Sequence, residues 1–527
     1  MAALMPLPSP MEMVAADRRA IESGISCIEL MERAGATCAD LILQRYRGTC
    51  ANFVVLAGPG NNGGDGFVIA TKLHQAEESV VVLVLQSSSY SSDHLRERER
   101  YEREGGVLRQ IAEGQCSAKS ECERVLLGAT IIIDALLGTG AKEAPRGVIA
   151  EIILCLTSVS LVRPNPATVI AIDIPSGINA DNGSVFNPVV HADVTLAIQA
   201  PKRGMLQSPA AECCGEILPL AIGIELGDEV EFQLIISESV LKLPNRNRAA
   251  HKGEFGHVLL IAGSASMPGA ARLCALAALR SGCGLVTRAS WGGESEAGTE
   301  PEIMFLQLGS TDSFLVEDHL AQIERFLGKA NVVVLGPGLG AATETQTAVL
   351  KLLELRKRYG TVMVIDADGL NAIAAVPEIW RGTRLLTECV LTPHPGEMAR
   401  LLGISISEVE GDRYAAARLL AQQTSATVVL KGASSIIYCG THGAVNSTGN
   451  PYMASAGSGD ALSGIIAAIL AQRGLRSVSM FERVSLAVYL HGMAGDLVQE
   501  QRPGPMIASD LIAKIPEAVW SCTSTKE

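Results

Sequence analysis

Apolar residues recur at helical spacing from Met11 to Arg45, at Ile21, Ile25, Ile28, Met31, Ala34 and Leu41, so the chain is expected to open with amphipathic helices. The pattern then turns continuous. Asn52–Ala57 is predicted as a buried strand that runs into Gly58-Pro59-Gly60-Asn61-Asn62-Gly63-Gly64-Asp65-Gly66, with a helix over Phe67–Gln75. Further strands are predicted at Val80–Leu85, Thr130–Ile133, Val169–Ile172 and Ala192–Gln199. Between them Ser87–Ser92 reads as a polar loop and Asp93–Ile111 as a charge-laced helix with a solvated face.

Glu225–Ala250 has no long periodic element and is the expected linker. Beyond it, strands are predicted at His257–Ala262, Asn331–Leu335, Thr361–Ile365, up to Leu391, and at Thr427–Leu430, with a helix from Gly269 through Ala278. Near the end, Ala454-Ser455-Ala456-Gly457-Ser458-Gly459-Asp460 leads into a helical Ala461–Leu470. Strands alternating with helices in both halves predict an α/β fold with largely parallel sheets.

At 527 residues the chain exceeds one ordinary core. The expected division is 1–225, a linker at 226–250, and 251–527. A hydrophobic content of 48% with 52 glycines suits compact α/β domains. The net charge of −13 argues against a non-specific nucleic-acid binder. It leaves room for anionic small molecules, because glycine loops hold phosphate through backbone N–H groups. Thirteen cysteines without a Cys-x-x-Cys pair predict reduced thiols and a cytoplasmic protein. Met1–Pro10 lacks a basic region and carries three prolines, so no signal peptide is expected, and no apolar run approaches a membrane span.

Candidate chemistry clusters at predicted strand ends. The Gly58–Gly66 stretch places Asn61, Asn62 and Asp65 among glycines, more side-chain functionality than a tight turn needs. Two more strands deliver acids into glycine-containing loops, at Asp134 and Asp173-Ile174-Pro175-Ser176-Gly177. In a doubly wound sheet, Asn62, Asp134, Asp173 and Ser176 would share one crevice, and their oxygens suit a simple cation better than zinc. Lys202 either faces that crevice or is a surface cation. In the second half, Gly457–Asp460 places an acid at a helix N-terminus, where unpaired N–H groups would hold a phosphate. Asp460 is either a base for an attacking hydroxyl or a helix cap. His394, between two prolines after a strand, is expected to contact ligand, and Lys431 either neutralises phosphate or snorkels.

The second half resembles the ribokinase superfamily through Gly457-Ser458-Gly459-Asp460. With His251-Lys252-Gly253, Gly336-Pro337-Gly338-Leu339-Gly340, Thr392-Pro393-His394-Pro395-Gly396-Glu397 and Val429-Leu430-Lys431-Gly432-Ala433, it resembles the NAD(P)H-hydrate dehydratases. The first half resembles the NAD(P)H-hydrate epimerases through Asn61–Gly66 and Asp173–Gly177. Together these cover essentially the whole chain, in the order of the fused bacterial repair enzymes. Asp366-Ala367-Asp368-Gly369-Leu370-Asn371 departs slightly, with Gly369 where alanine is common.

The resemblance implies a Rossmann-like three-layer domain followed by a ribokinase-like domain, and repair of hydrated NADH and NADPH. Water added across C5–C6 of the dihydronicotinamide leaves a C6 hydroxyl in either of two epimers. The second domain would phosphorylate the S epimer and eliminate phosphate. Asp460 would be its base, Lys431, Gly432, Ala433, Ser434, Ser435 and Gly459 would line an ADP site, and Ala270, Gly338 and His394 would touch the substrate along with Asp460. Mg²⁺ is expected there. The first domain would interconvert the epimers, with substrate contacts at Asn61, Asn62, Gly63, Gly64 and Asp65, at Gly138, Thr139, Gly140, Ala141, Lys142, Glu143 and Ala144, and at Asp173. Asn62, Asp134 and Ser176 would bind K⁺. Asp173 is the implied acid–base residue, with Lys202 in reserve, and a homo-oligomer is expected. The rival readings are a ribokinase-type small-molecule kinase fused to a dinucleotide-binding domain, and a first domain that is only a scaffold.

Overall fold

The computed structural model describes residues 5–49, 51–87, 89–111, 116–227, 229–237, 241–291, 300–309 and 314–523, with the side chains of 116–120 left aside. Ser88 of the expected polar loop, Asp228 and residues 238–240 of the expected linker, and residues 1–4 lie outside them. The chain forms two compact units, Pro6–Phe232 and, with Met5, Gln233–Glu527. The division falls inside the stretch expected as a linker. Phe232–Ile235 there is a strand with Phe232 and Ile235 buried, and Leu243 is buried too, so the segment is anchored structure.

In the first unit, helices α1 (Pro10–Glu22) and α2 (Cys27–Tyr46) match the amphipathic opening. Ser9 and Ser26 cap them by accepting the N–H of Glu12 and Glu29. Strands β1 (Asn52–Ala57), β2 (Ser79–Leu85), β3 (Val107–Ile111), β4 (Ile131–Ala135), β5 (Thr168–Ile172), β6 (Val194–Ile198) and β7 (Glu216–Leu220) form one parallel sheet in the order β3-β2-β1-β4-β5-β6-β7. Apolar cores cover both faces, one containing Phe53, Val55, Phe67 and Tyr101, the other Val54, Leu56, Ile132 and Ile153. That two-sided burial explains the continuous apolar runs.

Two expectations are corrected here. The helix after β1, α3 (Asn61–Gln75), begins at Asn61 rather than Phe67, so Asn61–Gly66 is its first turns and not a loop. Its glycines serve close approach. A Cβ on Gly63 would lie 1.9 Å from Gly58 O, and one on Gly66 would lie 2.8 Å from the Ala135 Cβ. The charge-laced helix α4 (Ser92–Arg103) stops well short of Ile111. Gly105 takes φ +84° and Gly106 packs on the Tyr101 ring, which reverses the chain into β3. The face of α4 opposite the solvated one is buried through His94 and Glu97.

In the second unit the sheet order runs β8-β17-β16-β15-β14-β13-β12-β9-β10-β11. Its strands are β8 (Phe232–Ile235), β9 (His257–Ile261), β10 (Leu285–Ser290), β11 (Met304–Gln307), β12 (Val332–Leu335), β13 (Val362–Ile365), β14 (Cys389–Leu391), β15 (Thr427–Leu430), β16 (Ile436–Cys439) and β17 (His442–Asn446). From β11 to β15 neighbours are parallel, and β15-β16-β17 turn antiparallel. Helices α5 (Pro268–Arg280), α6 (Ser458–Ala471) and α7 (Met480–Gln501) belong to its core. Gly464 lets α6 close on α5, because a Cβ there would lie 2.2 Å from Cys274 O. Gly369 is likewise held, with no room for a methyl against Leu335 O at 2.7 Å. Among the described residues no helix is long and apolar enough to cross a membrane.

Candidate active sites

Each unit holds a cavity at the C-terminal ends of its parallel strands, where strand order and loop ends leave a crevice. The first has a volume of about 710 Å³. Asn61, Asn62 and Asp65 line it from α3, Gly138–Ala141 from the loop after β4, Asp173 from the end of β5, Ile198 from the end of β6 and Lys202 from beyond it. One face of α1 closes it, through Met13, Val14, Asp17 and Ile21. Gly63 and Gly64 are not in its lining; they are buried, with Gly58 O and Met31 in the space a side chain would need. Lys142, Glu143 and Ala144 are also outside it, exposed, and Glu143 pairs with Arg146 at 2.8 Å.

Lys202 is neither a surface cation nor free. It is fully buried, its Nζ donates to Asp173 Oδ1, and it also donates to Ile198 O at 2.8 Å. Asp173 sits at φ +66°, a conformation uncommon outside glycine, and its Oδ1 accepts the Ile198 N–H at 3.2 Å as well. Two further carboxylates share this electrostatic neighbourhood. Burial, then the charges of Asp173 and Asp17, push the Asp65 carboxyl well above the usual range. Burial and Asp173 raise that of Asp17, while Lys202 lowers it. Asp17 was not anticipated from sequence. Only its place on the Met13–Ile21 helical stripe could have marked it.

Behind the lining Asp134 and Ser176 meet directly, and Asn62 is linked to Ser176 through Leu137. Asp134, fully buried, accepts from Ser176 N at 2.8 Å, Ser176 Oγ at 2.7 Å and Leu136 N at 3.1 Å. Burial raises its carboxyl to about 6 against those hydrogen bonds. Asn62 Nδ2 donates to Leu137 O at 2.9 Å, yet Asn62 Oδ1 is buried without any partner. A bare acceptor of this kind is costly unless something positive meets it.

The second cavity, about 810 Å³, lies at the N-terminus of α6. Gly457 caps that helix at φ +87°, which favours glycine, so Ser458, Gly459 and Asp460 form its first turn. Asp460, Gly459, Lys431–Ser435, His394, Asp366 and Glu397 all line the cavity. Lys431 Nζ donates to Asp366 Oδ1 at 2.6 Å and lies 3.7 Å from Glu397 Oε2. Burial opposes its charge, but Asp366 and Glu397 outweigh that and raise its pKa. Lys431 therefore reaches the cavity rather than snorkelling to bulk water. Gly459 lies beside it, where a Cβ would be in ordinary contact with Nζ at 3.4 Å. Burial and the Asp366 charge, opposed by Lys431, push the Asp460 carboxyl up to about 6.

His394 opens the helix Pro395–Leu402 as its cap: Nδ1 accepts the Gly396 N–H at 3.0 Å, and Glu397 Oε2 accepts the His394 N–H at 2.8 Å. That fixes a half-exposed ring at the cavity wall. Ala270 and Gly338 are outside the lining but adjoin each other, with a Cβ on Gly338 falling 3.0 Å from the Ala270 Cβ. Gly338 takes φ +65°, and its loop is tied down where Gly340 N donates to Asp368 Oδ2 at 2.8 Å. His491, not anticipated, supports the first turn of α6 through Ser458 O at 3.0 Å and Ser458 Oγ at 3.2 Å. Its burial lowers its pKa to about 4, so the ring is neutral. Among the described residues no group of three or more His, Cys, Asp or Glu forms a metal cage.

Comparison with known proteins agrees with this two-site layout. Residues 258–517 match the family described as NAD(P)H-hydrate dehydratase, and residues 27–204 match the YjeF-related protein N-terminus. The chain is 37% identical over 530 residues to the bifunctional NAD(P)H-hydrate repair enzyme Nnr of Moorella thermoacetica, covering 97% of this chain and 96% of that one. It is 34% identical over 507 residues to the enzyme of the same name from Escherichia coli, covering 94% and 90%. Among solved structures, the ADP/ATP-dependent NAD(P)H-hydrate dehydratase of Bacillus subtilis, co-crystallised with ATP and Mg²⁺, covers 53% of this chain and 94% of its own at 29% identity and a TM-score of 0.43.

Proposed function

The chain belongs to the bifunctional NAD(P)H-hydrate repair enzymes, epimerase and dehydratase in one polypeptide, and from that premise we propose how its own residues divide the work. The observation that carries the reading is the pair of cavities, one per unit, each with a lysine held by a carboxylate: the buried Lys202 by Asp173, and the part-buried Lys431 by Asp366, with Asp460 in the same lining.

In the second cavity Asp460 removes the proton from the C6 hydroxyl of the S epimer as that oxygen attacks a phosphoryl group. The N–H groups at the start of α6 and the Lys431 ammonium stabilise the charge of the transferring phosphoryl. Phosphate then leaves C6 as the ring nitrogen pushes in its electron pair, and loss of the C5 proton restores the C5–C6 double bond. The donor we infer is ADP, leaving AMP, held along Lys431–Ser435 and Gly459. His394, Ala270 and Gly338 are the inferred substrate contacts. Mg²⁺ binds through donor phosphates, waters and one or two carboxylates, and Asp366 or Glu397 in the lining would supply these. When bound it offsets the negative charge of the phosphates.

In the first cavity Asp173 and Lys202 exchange protons with the C6 hydroxyl during epimerisation, while Asn61, Asp65 and Gly138–Ala141 hold the nucleotide. We infer that K⁺ is held by Asn62, Asp134 and Ser176. The support is the buried, unpartnered Asn62 Oδ1, which offers an oxygen ligand and nothing else to satisfy it. The role of K⁺ there is to fix the loop after β4 against α3.

The test mixes purified protein with hydrated NADH and Mg²⁺, adding ADP or ATP in turn, and follows the return of reduced-nicotinamide absorbance. Recovery with ADP that runs past the S fraction to completion is the expected result. Recovery that halts at the S fraction removes the epimerase assignment. No recovery with either nucleotide returns the chain to the small-molecule kinase reading.

A further inference from the structure

We infer that Asp17, on the cavity-facing side of α1, is a second proton-transfer residue of the epimerase centre, working with the Asp173–Lys202 pair. The inference rests on the first cavity being the epimerase site. Its basis is a charge imbalance. Asp17, Asp65, Asp93, Asp173 and Lys202 all line one cavity, so four carboxylates share it with one ammonium. That ammonium is already committed to Asp173 and to Ile198 O. Among the described residues no hydrogen bond or salt bridge holds the Asp17 carboxylate, and the same is true of Asp65. Two unpartnered carboxylates beside a third are costly if all are ionised, so the cluster retains a proton.

The reaction requires a proton to be held. The hydroxyl-bearing C6 is bonded to the ring nitrogen N1, so the two epimers are hemiaminals of one aldehyde. Removing the hydroxyl proton lets the C6–O bond become a carbonyl as the C6–N1 bond breaks, with its electron pair going to N1. A second proton must then reach N1. Closure of N1 on the other face of the carbonyl returns both protons and inverts C6. No water, oxidant or reductant enters the balance. One group must accept a proton while another donates, and the Asp173–Lys202 pair is only one of them. Asp65 lines the cavity from α3 but is nearly buried there. Asp17 is part-exposed on the helix that closes the cavity and feels the charges of both Asp173 and Lys202, so it can exchange its proton.

The experiment uses the full chain and two variants, Asp17→Asn and Asp17→Glu. Conversion of R- to S-NADH hydrate is followed chromatographically without nucleotide, so the dehydratase is idle. ADP-dependent recovery of NADH from the pure S epimer serves as the internal control for a folded protein. Asp17→Asn should lower kcat for epimerisation by about a hundredfold or more while leaving dehydration intact. Its KM should stay within about threefold, and Asp17→Glu should regain at least about tenfold over the Asn variant. An Asn variant with kcat within about threefold of the native protein overturns the inference, as does a loss confined to KM, which marks a binding group. If Asp17→Asn melts early, Asp17→Glu decides alone: it must epimerise measurably, but more slowly than the native chain. A native chain that fails to outpace spontaneous epimerisation instead overturns the epimerase reading beneath it.

Discussion

Lys431 reaches Asp366 Oδ1 at 2.6 Å, and on the far side of the same carboxylate Ser463 Oγ donates to Oδ2 at 2.8 Å. Both Asp366 oxygens are thereby engaged, and the carboxylate pins Lys431, just beyond β15, at the mouth of α6. It cannot neutralise Asp460 itself. Its negative charge does the opposite, holding the Asp460 carboxyl up at about 6 together with burial.

A pH dependence follows. Asp460 acts as a base only when ionised, so dehydration of the S epimer should rise with pH through about 6 and level off above it. Asp366→Asn removes the charge that raises Asp460 and leaves Lys431 to stabilise its ionised form. Both changes act in one direction, moving the rising limb down by about one pH unit whatever happens to the maximum rate. The measurement is kcat against pH in saturating ADP. A limb that stays put or moves up contradicts the assigned base.

Asp460→Asn separates the two activities and also tests linkage. It should lower dehydration by at least about a hundredfold while R-to-S conversion stays at the native rate. The sign of the stability effect is opposite to the usual acid. A carboxyl whose folded pKa is raised stabilises the fold when protonated and loses that contribution as pH rises through about 6. At pH 8 the Asn variant should therefore melt no lower than the native chain. Loss of both activities in a variant that melts normally contradicts independent sites.

What could be read from the sequence was what consecutive residues build. The anion cradle at Gly457–Asp460 is one turn of chain, and β1 and β15 keep the bounds their apolar runs predict. Asp134 and Ser176 were legible as strand-end residues, but their mutual hydrogen bonds span 42 positions. The start of α3 reads as a loop because its glycines resemble one, whereas Gly63, Gly64 and Gly66 are thin places where α3 meets Gly58, Met31 and Val55. Lys202 was undecidable alone, because a lysine after a strand looks the same whether it meets water or Asp173. Asp17 carries no local signal, since a helix that closes a cavity has the periodicity of one that covers a core.

The cation site makes a prediction about ions. If Asn62 Oδ1 faces K⁺, the first unit should melt higher in potassium chloride than in choline chloride, by mass action on the folded state. Asn62→Ala should abolish the difference. It should also cost about 1–3 kcal/mol in choline chloride, since Leu137 O loses its donor. Equal melting of the native protein in both salts removes K⁺ from the site.

The glycines of α3 yield the sharpest contrast, because they differ only in what stands opposite. A Cβ on Gly63 would lie 1.9 Å from Gly58 O and 2.8 Å from Gly58 C, backbone atoms at the end of β1 that cannot move without breaking the strand's exit. A Cβ on Gly64 would meet Met31 Cε and Sδ, both at 2.7 Å, which are the free end of a flexible side chain. Neither glycine has a positive φ, so conformational strain is not the issue. Gly63→Ala should therefore cost about 3 kcal/mol or more. Gly64→Ala should stay within about 1 kcal/mol of native, the helix propensity of alanine offsetting the shift of Met31. Urea unfolding of the two variants gives the comparison directly. Equal costs would mean that α3 does not begin at Asn61, and that the stretch is the loop its glycines suggest.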